Sequence, residues 1–248
     1  MLEVDQLVKS FQDVRAVEGL TFHVGAGEIV GLVGPNGSGK TTTIRCLCGI
    51  LKPDCGQIVV NGFDLLKNEI EAKRAIAYIP EVPNPYDLLT VREHIQFVAM
   101  AFDTMDSFNA QINGLLERFD LKEKEHSLVA GLSKGMKQKL AVACAFVHNA
   151  KVFLCDEPFI GVDPKGQHAL KLDLKRLRSE GCAVLISTHQ LDTAERLCDR
   201  IIILKKGKKL VEGTVSELQE QARMDGKALE DIFIRLTDTS DESAALPR

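Results

Sequence analysis

The sequence predicts an α/β fold with a mostly parallel sheet, an antiparallel β portion near the N-terminus and an inserted α-helical lobe. Three observations predict it. Short apolar runs bounded by glycine and proline dominate the first third, and one of them enters the glycine-rich loop Gly34-Pro35-Asn36-Gly37-Ser38-Gly39-Lys40-Thr41. From Thr90 to His148 the apolar residues switch to helical spacing. After that, strand-like and helix-like segments alternate, the order that a parallel sheet with helices on its faces requires.

The elements follow in order. Residues 2–8 and 20–24 read as strands flanking a turn, and 28–33 as a buried strand. A helix is expected from Gly39 to about Gly49. Strands follow over 57–60, between Gly56 and Gly62, and over 75–79, where Pro80, Pro83 and Pro85 end the run. In the lobe, Val91, Ile95, Val98 and Ala99 share one helical face, as do Leu115, Leu116 and Phe119. Leu140, Ala141, Cys144, Ala145 and Val147 form a third such face. Strand 152–155, helix 165–180, strand 183–187, helix 191–198 and strand 200–204 complete the alternation. Lys205-Lys206-Gly207-Lys208-Lys209 reads as a solvated hairpin turn, and 238–248 as a polar, fraying end. The expected organisation is one domain: a core over 1–89 and 149–222, a helical subdomain over 90–148, and a C-terminal extension over 223–248.

Composition narrows the function classes. A chain of 248 residues with 45% hydrophobic and 27% charged residues falls among ordered globular proteins. The net charge of −4 supplies no basic footprint, and the lysine run carries no interleaved aromatics, so no nucleic-acid partner is expected. No apolar stretch approaches the roughly 20 residues that span a bilayer, and the N-terminus has no apolar signal segment. The expectation is a soluble, cytoplasmic chain whose membrane role would come through a partner. Seven cysteines, scattered within apolar patterns, fit a reducing compartment. Cys46 and Cys48 lie two apart on a predicted helix and point to different faces, which favours packed thiols over metal ligands.

The glycine-rich loop satisfies G-x-x-x-x-G-K-[ST] and lies between a predicted strand and a predicted helix. Glycines let backbone N–H groups curl around a phosphate chain, and the helix that starts there adds its positive dipole end. Gly34, Pro35, Asn36, Gly37, Ser38, Gly39, Lys40, Thr41 and Thr42 are therefore nucleotide-binding candidates. Lys40 would reach the β- and γ-phosphates of ATP, and the Thr41 hydroxyl would hold Mg2+. A second apolar run, from Val152, ends in Asp156-Glu157-Pro158. A buried strand delivers carboxylates at its C-terminal end into the crevice where such sheets bind ligands. Asp156 would serve the Mg2+, and Glu157 would polarise the attacking water.

With these two elements in place, the chain resembles the ATPase subunits of ABC transporters from Leu2 to about Leu218. Leu132-Ser133-Lys134-Gly135-Met136 resembles that family's signature motif, and Phe159-Ile160-Gly161-Val162-Asp163-Pro164 its D-loop. His189 resembles the switch histidine, and Phe11 stands where the family carries an aromatic that stacks on adenine. The resemblance implies that two cassettes, identical or different, close head to tail on ATP. In that dimer the helix led by Ser133 and Gly135 of one subunit would cap the γ-phosphate held by the other, with Asp163 contacting across the same interface. His189 would bond the γ-phosphate and fix the water and Glu157. It also implies an integral membrane permease subunit as partner, and a peripheral place on the cytoplasmic face.

Two departures stand out. Glu81 occupies the position of the family's Q-loop glutamine, where it would still offer an oxygen to Mg2+. Lys134 and Met136 replace the signature's usual glycine and glutamine. Both departures, with the closing pattern Leu229-Glu230-Asp231-Ile232-Phe233-Ile234-Arg235-Leu236-Thr237, resemble subunits of ABC-2-like exporters. The competing readings are a transporter-independent ATPase acting on DNA or ribosomes, a regulatory subunit that scarcely hydrolyses ATP, and a small-molecule kinase. The first usually carries coiled-coil insertions or a second cassette, which this chain lacks. The second conflicts with Glu157, and the third has no use for the signature motif.

Overall fold

The computed structural model describes residues 1–242. Strands β1 (Leu2–Phe11), β2 (Val14–Val24), β4 (Cys55–Val60) and β5 (Phe63–Asp64) form an antiparallel sheet in the order β2-β1-β4-β5. Alternation makes β1 amphipathic: Leu2 and Val4 are buried while Glu3 and Asp5 face solvent. A register shift between Val4 and Leu7, with Gln6 at φ 48°, returns Leu7 to the buried face.

The second sheet holds β3 (Glu28–Val33), β6 (Ile76–Ile79), β7 (Val152–Asp156), β8 (Ala183–Thr188), β9 (Arg200–Lys205) and β10 (Lys208–Gly213). Their order is β10-β9-β3-β8-β7-β6. Its neighbours run parallel, apart from β10, which turns back antiparallel on β9. Every residue of β7 and β8 is buried, as the continuous apolar runs require of a sheet covered on both faces. Strand pleating sends Val152 and Leu154 into the core shared with β1 and β2, and Phe153 and Cys155 into the core shared with the lobe.

That lobe is built from α3 (Val91–Ala101), α4 (Met105–Arg118) and α5 (Lys134–Val147). Thr90 and Glu93 close a capping box that starts α3. Around the sheets lie α1 (Lys40–Leu47), α2 (Glu69–Arg74), α6 (Pro164–Ser179), α7 (Leu191–Leu197), α8 (Val215–Ala222) and α9 (Leu229–Glu242).

Several spans depart from the sequence reading. Strand β2 begins at Val14, six positions before the expected 20, because Arg15 and Val17 pair with Ser10 and Lys9 of β1. The lysine turn is tighter than 205–209: Lys205 and Lys208 are already paired, leaving Lys206 and Gly207 as the turn, and β10 continues to Gly213. Helix α9 runs through 238–242, where a frayed end was expected, and 243–248 lie outside the described residues.

Candidate nucleotide site

Strand β3 lies between β8 and β9, so the loop after it opens beside the ends of β7 and β8. The loop reaches α1 through Gly39, which has φ 103°; a Cβ there would stand 2.3 Å from the Ala16 carbonyl oxygen. Only glycine fits that approach. No side chain caps the start of α1, so its first N–H groups keep the positive helix end available to an anion. Lys40 Nζ donates to the carbonyls of Gly34 at 2.8 Å and Pro35 at 3.2 Å, folding the ammonium across the loop. Burial lowers the Lys40 pKa, and the carboxylates of Glu157, Asp156 and Glu81 oppose that shift.

Register places the acids. Asp156, last in β7, pairs with Ser187 of β8. The Ser187 hydroxyl donates to Asp156 Oδ1 at 2.6 Å, and the Thr41 hydroxyl donates to the same oxygen at 3.1 Å. Asp156 Oδ2 is buried without a hydrogen-bond partner. Glu157 follows with φ 46°, its N–H shared between the Ser187 carbonyl and hydroxyl at 3.1 Å each. A non-glycine residue held there by its surroundings is the kind of strain that gathers at functional sites. His189 Nδ1 lies 2.9 Å from Glu157 Oε1; the acid is nearly buried while the imidazole is half exposed.

Lys40, Thr41, Glu157 and His189 border a cleft of about 690 Å3, with Asp156 behind its wall, bonded to Thr41. Its wall includes Phe11, Asn36 to Thr42, Glu81, Glu157 and His189. Phe11 ends β1 and is 45% exposed, as a stacking platform needs. Pairing of Ile79 with Cys155 sets Glu81 beside the end of β7. Val14, Arg15, Ala16, Ile160 and Lys206 also line the cleft. Ile160 lies in the segment that resembles the D-loop; the sequence reading missed the other four because the early start of β2 and the β9–β10 turn bring them in, and neither carries a local phosphate-binding motif.

Oxygen donors from Thr41 and Asp156, with one carboxylate oxygen left unpartnered, fit a hard cation such as Mg2+. No cluster of three or more His, Cys, Asp or Glu able to hold a metal occurs among the described residues. Such a donor pair suits Mg2+ carried in with phosphate oxygens, which would supply the remaining ligands.

Ser133, Gly135 and Asp163 lie outside this cleft, in a group of their own. Ser133 caps α5, accepting from the Met136 N–H at 3.3 Å, and both Ser133 and Lys134 face solvent. A Cβ on Gly135 would stand 2.7 Å from the Gly161 carbonyl oxygen, so the first turn of α5 touches the loop before Asp163 backbone to backbone. Asp163 caps α6 through the Gly166 N–H at 2.8 Å, and its other oxygen pairs with Lys139 at 2.6 Å. Within the single chain, then, both Asp163 oxygens are engaged locally.

The family described as ABC transporter matches residues 17–160. ABC-type transporter ATP-binding protein EcsA of Bacillus subtilis is 37% identical over 96% of this chain and 96% of its own length. The SkfA peptide export ATP-binding protein SkfE of Bacillus subtilis is 37% identical over 90% of this chain and 92% of its own. A solved structure of an ATP binding subunit of an ABC transporter superposes with a TM-score of 0.92 at 38% identity, covering 96% of this chain and 99% of that one. A chain that sets a phosphate loop, a strand-end acid pair and a histidine around one cleft, and that shares this ancestry, belongs to the ABC transporter family as an ATP-binding, ATP-hydrolysing subunit.

Proposed function

We propose that the chain hydrolyses ATP by in-line attack of water on the γ-phosphate, with Glu157 accepting the water's proton and His189 orienting Glu157. The observation that carries this reading is the 2.9 Å contact between His189 Nδ1 and Glu157 Oε1 at the wall of the phosphate-loop cleft. Gly34 to Thr42 bind the triphosphate and Phe11 stacks on adenine. Thr41, Asp156 and Glu81 serve the Mg2+, which neutralises charge developing on the phosphates when bound. Catalysis then comes mostly from positioning and electrostatics.

Two such chains, or this chain and a related one, close on two nucleotides. The exposed Ser133 at the positive end of α5 supports this, because Ser133 is not part of the wall of its own chain's phosphate-loop cleft. Residues 90–148 act as the moving lobe against a core of 1–89 and 149–222. The stroke passes to a membrane permease through the loop after β6 and the face of α3. Tyr86 and Met100 are 60% and 59% exposed there, with Leu88 and Phe97, an apolar surface that a permease segment would cover. No helix among the described residues is long and apolar enough to cross a membrane. Bound to that partner, the chain would sit at the cytoplasmic face. SkfE is named as a peptide export protein, and that relationship supports export as the direction here.

The test is steady-state ATP turnover by the purified chain with Mg2+, set beside Glu157→Gln. Turnover lost in the variant, with an ATP-dependent dimer retained on size exclusion, is the expected outcome. Equal turnover in both would remove Glu157 from the chemistry.

A further inference from the structure

Helix α9 comes after every motif that builds the cleft, yet it packs on the helix that follows His189. Leu229 and Ile232 of α9 are fully buried and share one apolar cluster with Ala194 of α7. Leu191, the first residue of α7, packs against the same cluster. A hydrogen bond joins the two helices as well: the Leu229 N–H, at the start of α9, donates to Glu195 Oε2 of α7 at 3.2 Å. The first N–H groups of a helix have no partner within it, so this carboxylate meets an open backbone donor and the positive helix end together.

Helix α7 in turn governs where His189 can stand. Only Gln190 separates the histidine from Leu191. The turn between them is tied at both ends. The Gln190 N–H donates to Thr188 Oγ1 at 3.0 Å, and the Thr193 N–H donates to the Gln190 carbonyl at 3.1 Å. A turn bonded in this way passes a shift of α7 on to His189 instead of absorbing it. Lys171 of α6 also donates to Thr193 Oγ1 at 3.3 Å, so α7 is held from α6 and from α9. His189 lines two cavities, the nucleotide cleft and a second one of about 370 Å3. Gln190 to Thr193 line that second cavity too, and α9 contributes Glu230 to its wall.

The 2.9 Å contact of His189 with Glu157 tolerates little displacement, because hydrogen bonds weaken steeply as their geometry departs from the optimum. We propose that α9 braces the nucleotide site from behind, with Glu195 as the positioning residue that fixes α7 and, through it, His189 against Glu157. The inference rests on the catalytic reading of His189.

The experiment measures kcat, KM, equilibrium ATP binding and melting temperature for the full chain with Mg2+. Beside it stand Glu195→Ala, Glu195→Gln, His189→Ala and the double variant carrying both alanines. Glu195→Ala should lower kcat about tenfold, since loosening α7 misplaces His189. KM and ATP affinity should stay within about twofold, because Glu195 is not part of the cleft wall. Glu195→Gln keeps an oxygen that accepts from the Leu229 N–H and should hold kcat within about twofold of the parent. Once His189 is alanine, adding Glu195→Ala should cost less than about twofold more, as two residues acting through one contact are not additive. A helix cap with no further part would lower the melting temperature of Glu195→Ala and leave the kcat of the folded chain parent-like, and that result would overturn the proposal. Equal losses with and without His189 would overturn it too, as would a glutamine variant as slow as the alanine one. Parent-like turnover by His189→Ala would instead overturn the reading of His189 itself.

Discussion

His189 Nδ1 stands 2.9 Å from Glu157 Oε1, tying the residue after β8 to the residue after β7. An ionised carboxylate can only accept, so the imidazole proton belongs on Nδ1 and Nε2 carries the lone pair of the neutral ring. Donation to a phosphate through Nε2 then requires the doubly protonated ring or release from Glu157. The contact therefore holds Glu157 in place before any phosphate arrives.

From this pair, Glu157→Gln and His189→Ala should each lower phosphate release by about 10²- to 10⁴-fold, the range for a lost or misplaced general base. ATP affinity should stay within a few-fold, because neither residue belongs to the phosphate loop. A rapid phosphate-release assay paired with equilibrium nucleotide binding separates the two effects. Normal release by His189→Ala would make the contact incidental.

Magnesium titration probes Asp156 and Glu81. Asp156→Asn should raise the Mg2+ concentration for half-maximal turnover, since it removes charge at the carboxylate whose Oδ2 lacks a partner. Glu81→Gln should shift the same midpoint less, as Glu81 is the more exposed of the two and bonds neither Thr41 nor Ser187. An unchanged metal requirement in Glu81→Gln would remove Glu81 from the coordination sphere.

Gly135→Ala separates the two groups of site residues. The added methyl would meet the Gly161 carbonyl at 2.7 Å and push the signature loop off the loop before Asp163. ATP binding to the single chain should be unchanged, while ATP-dependent dimerisation and turnover fall by at least about tenfold. Weakened binding to the monomer, measured at low protein concentration, would contradict that separation.

Acid should expose a buried histidine. His148 donates through Nε2 to the Arg74 carbonyl at 3.0 Å and stacks on Phe102 with ring centroids 3.5 Å apart. Burial lowers its pKa to about 4, against the partial opposing effect of that hydrogen bond. The unfolded chain therefore binds the extra proton between about pH 6.5 and 4, where the folded chain does not. Stability from this group is whole above pH 6.5 and is lost progressively as pH falls through that window, by about 3 kcal/mol. Urea midpoints taken from pH 7 to 4.5 should fall more steeply for the parent chain than for His148→Gln. Parallel curves would contradict the assignment.

Much of this molecule is written in short stretches of sequence. The phosphate loop, the acid pair Asp156-Glu157 at the end of β7 and the serine cap of α5 each depend on residues within a few positions of one another, where glycine freedom, strand burial and N-cap chemistry act. Helical spacing likewise marked the lobe, because amphipathic periodicity is a property of one segment. The early start of β2 escaped notice because residues 14 to 19 carry no strict alternation and are held by pairing with β1.

What the sequence by itself determined is the chemistry available: a phosphate cradle, two carboxylates, a histidine and a helix with a free positive end. Tertiary structure alone decided who meets whom. Thr41 reaches Asp156 across 115 positions because β7 lies one strand away from β3, and Lys206 enters the cleft because Gly207 lodges against Ala16. Asp163 is engaged by Lys139 because α5 packs beside the loop that starts α6. Contacts of this kind follow from strand order and packing between distant segments, and local spacing carries no record of either.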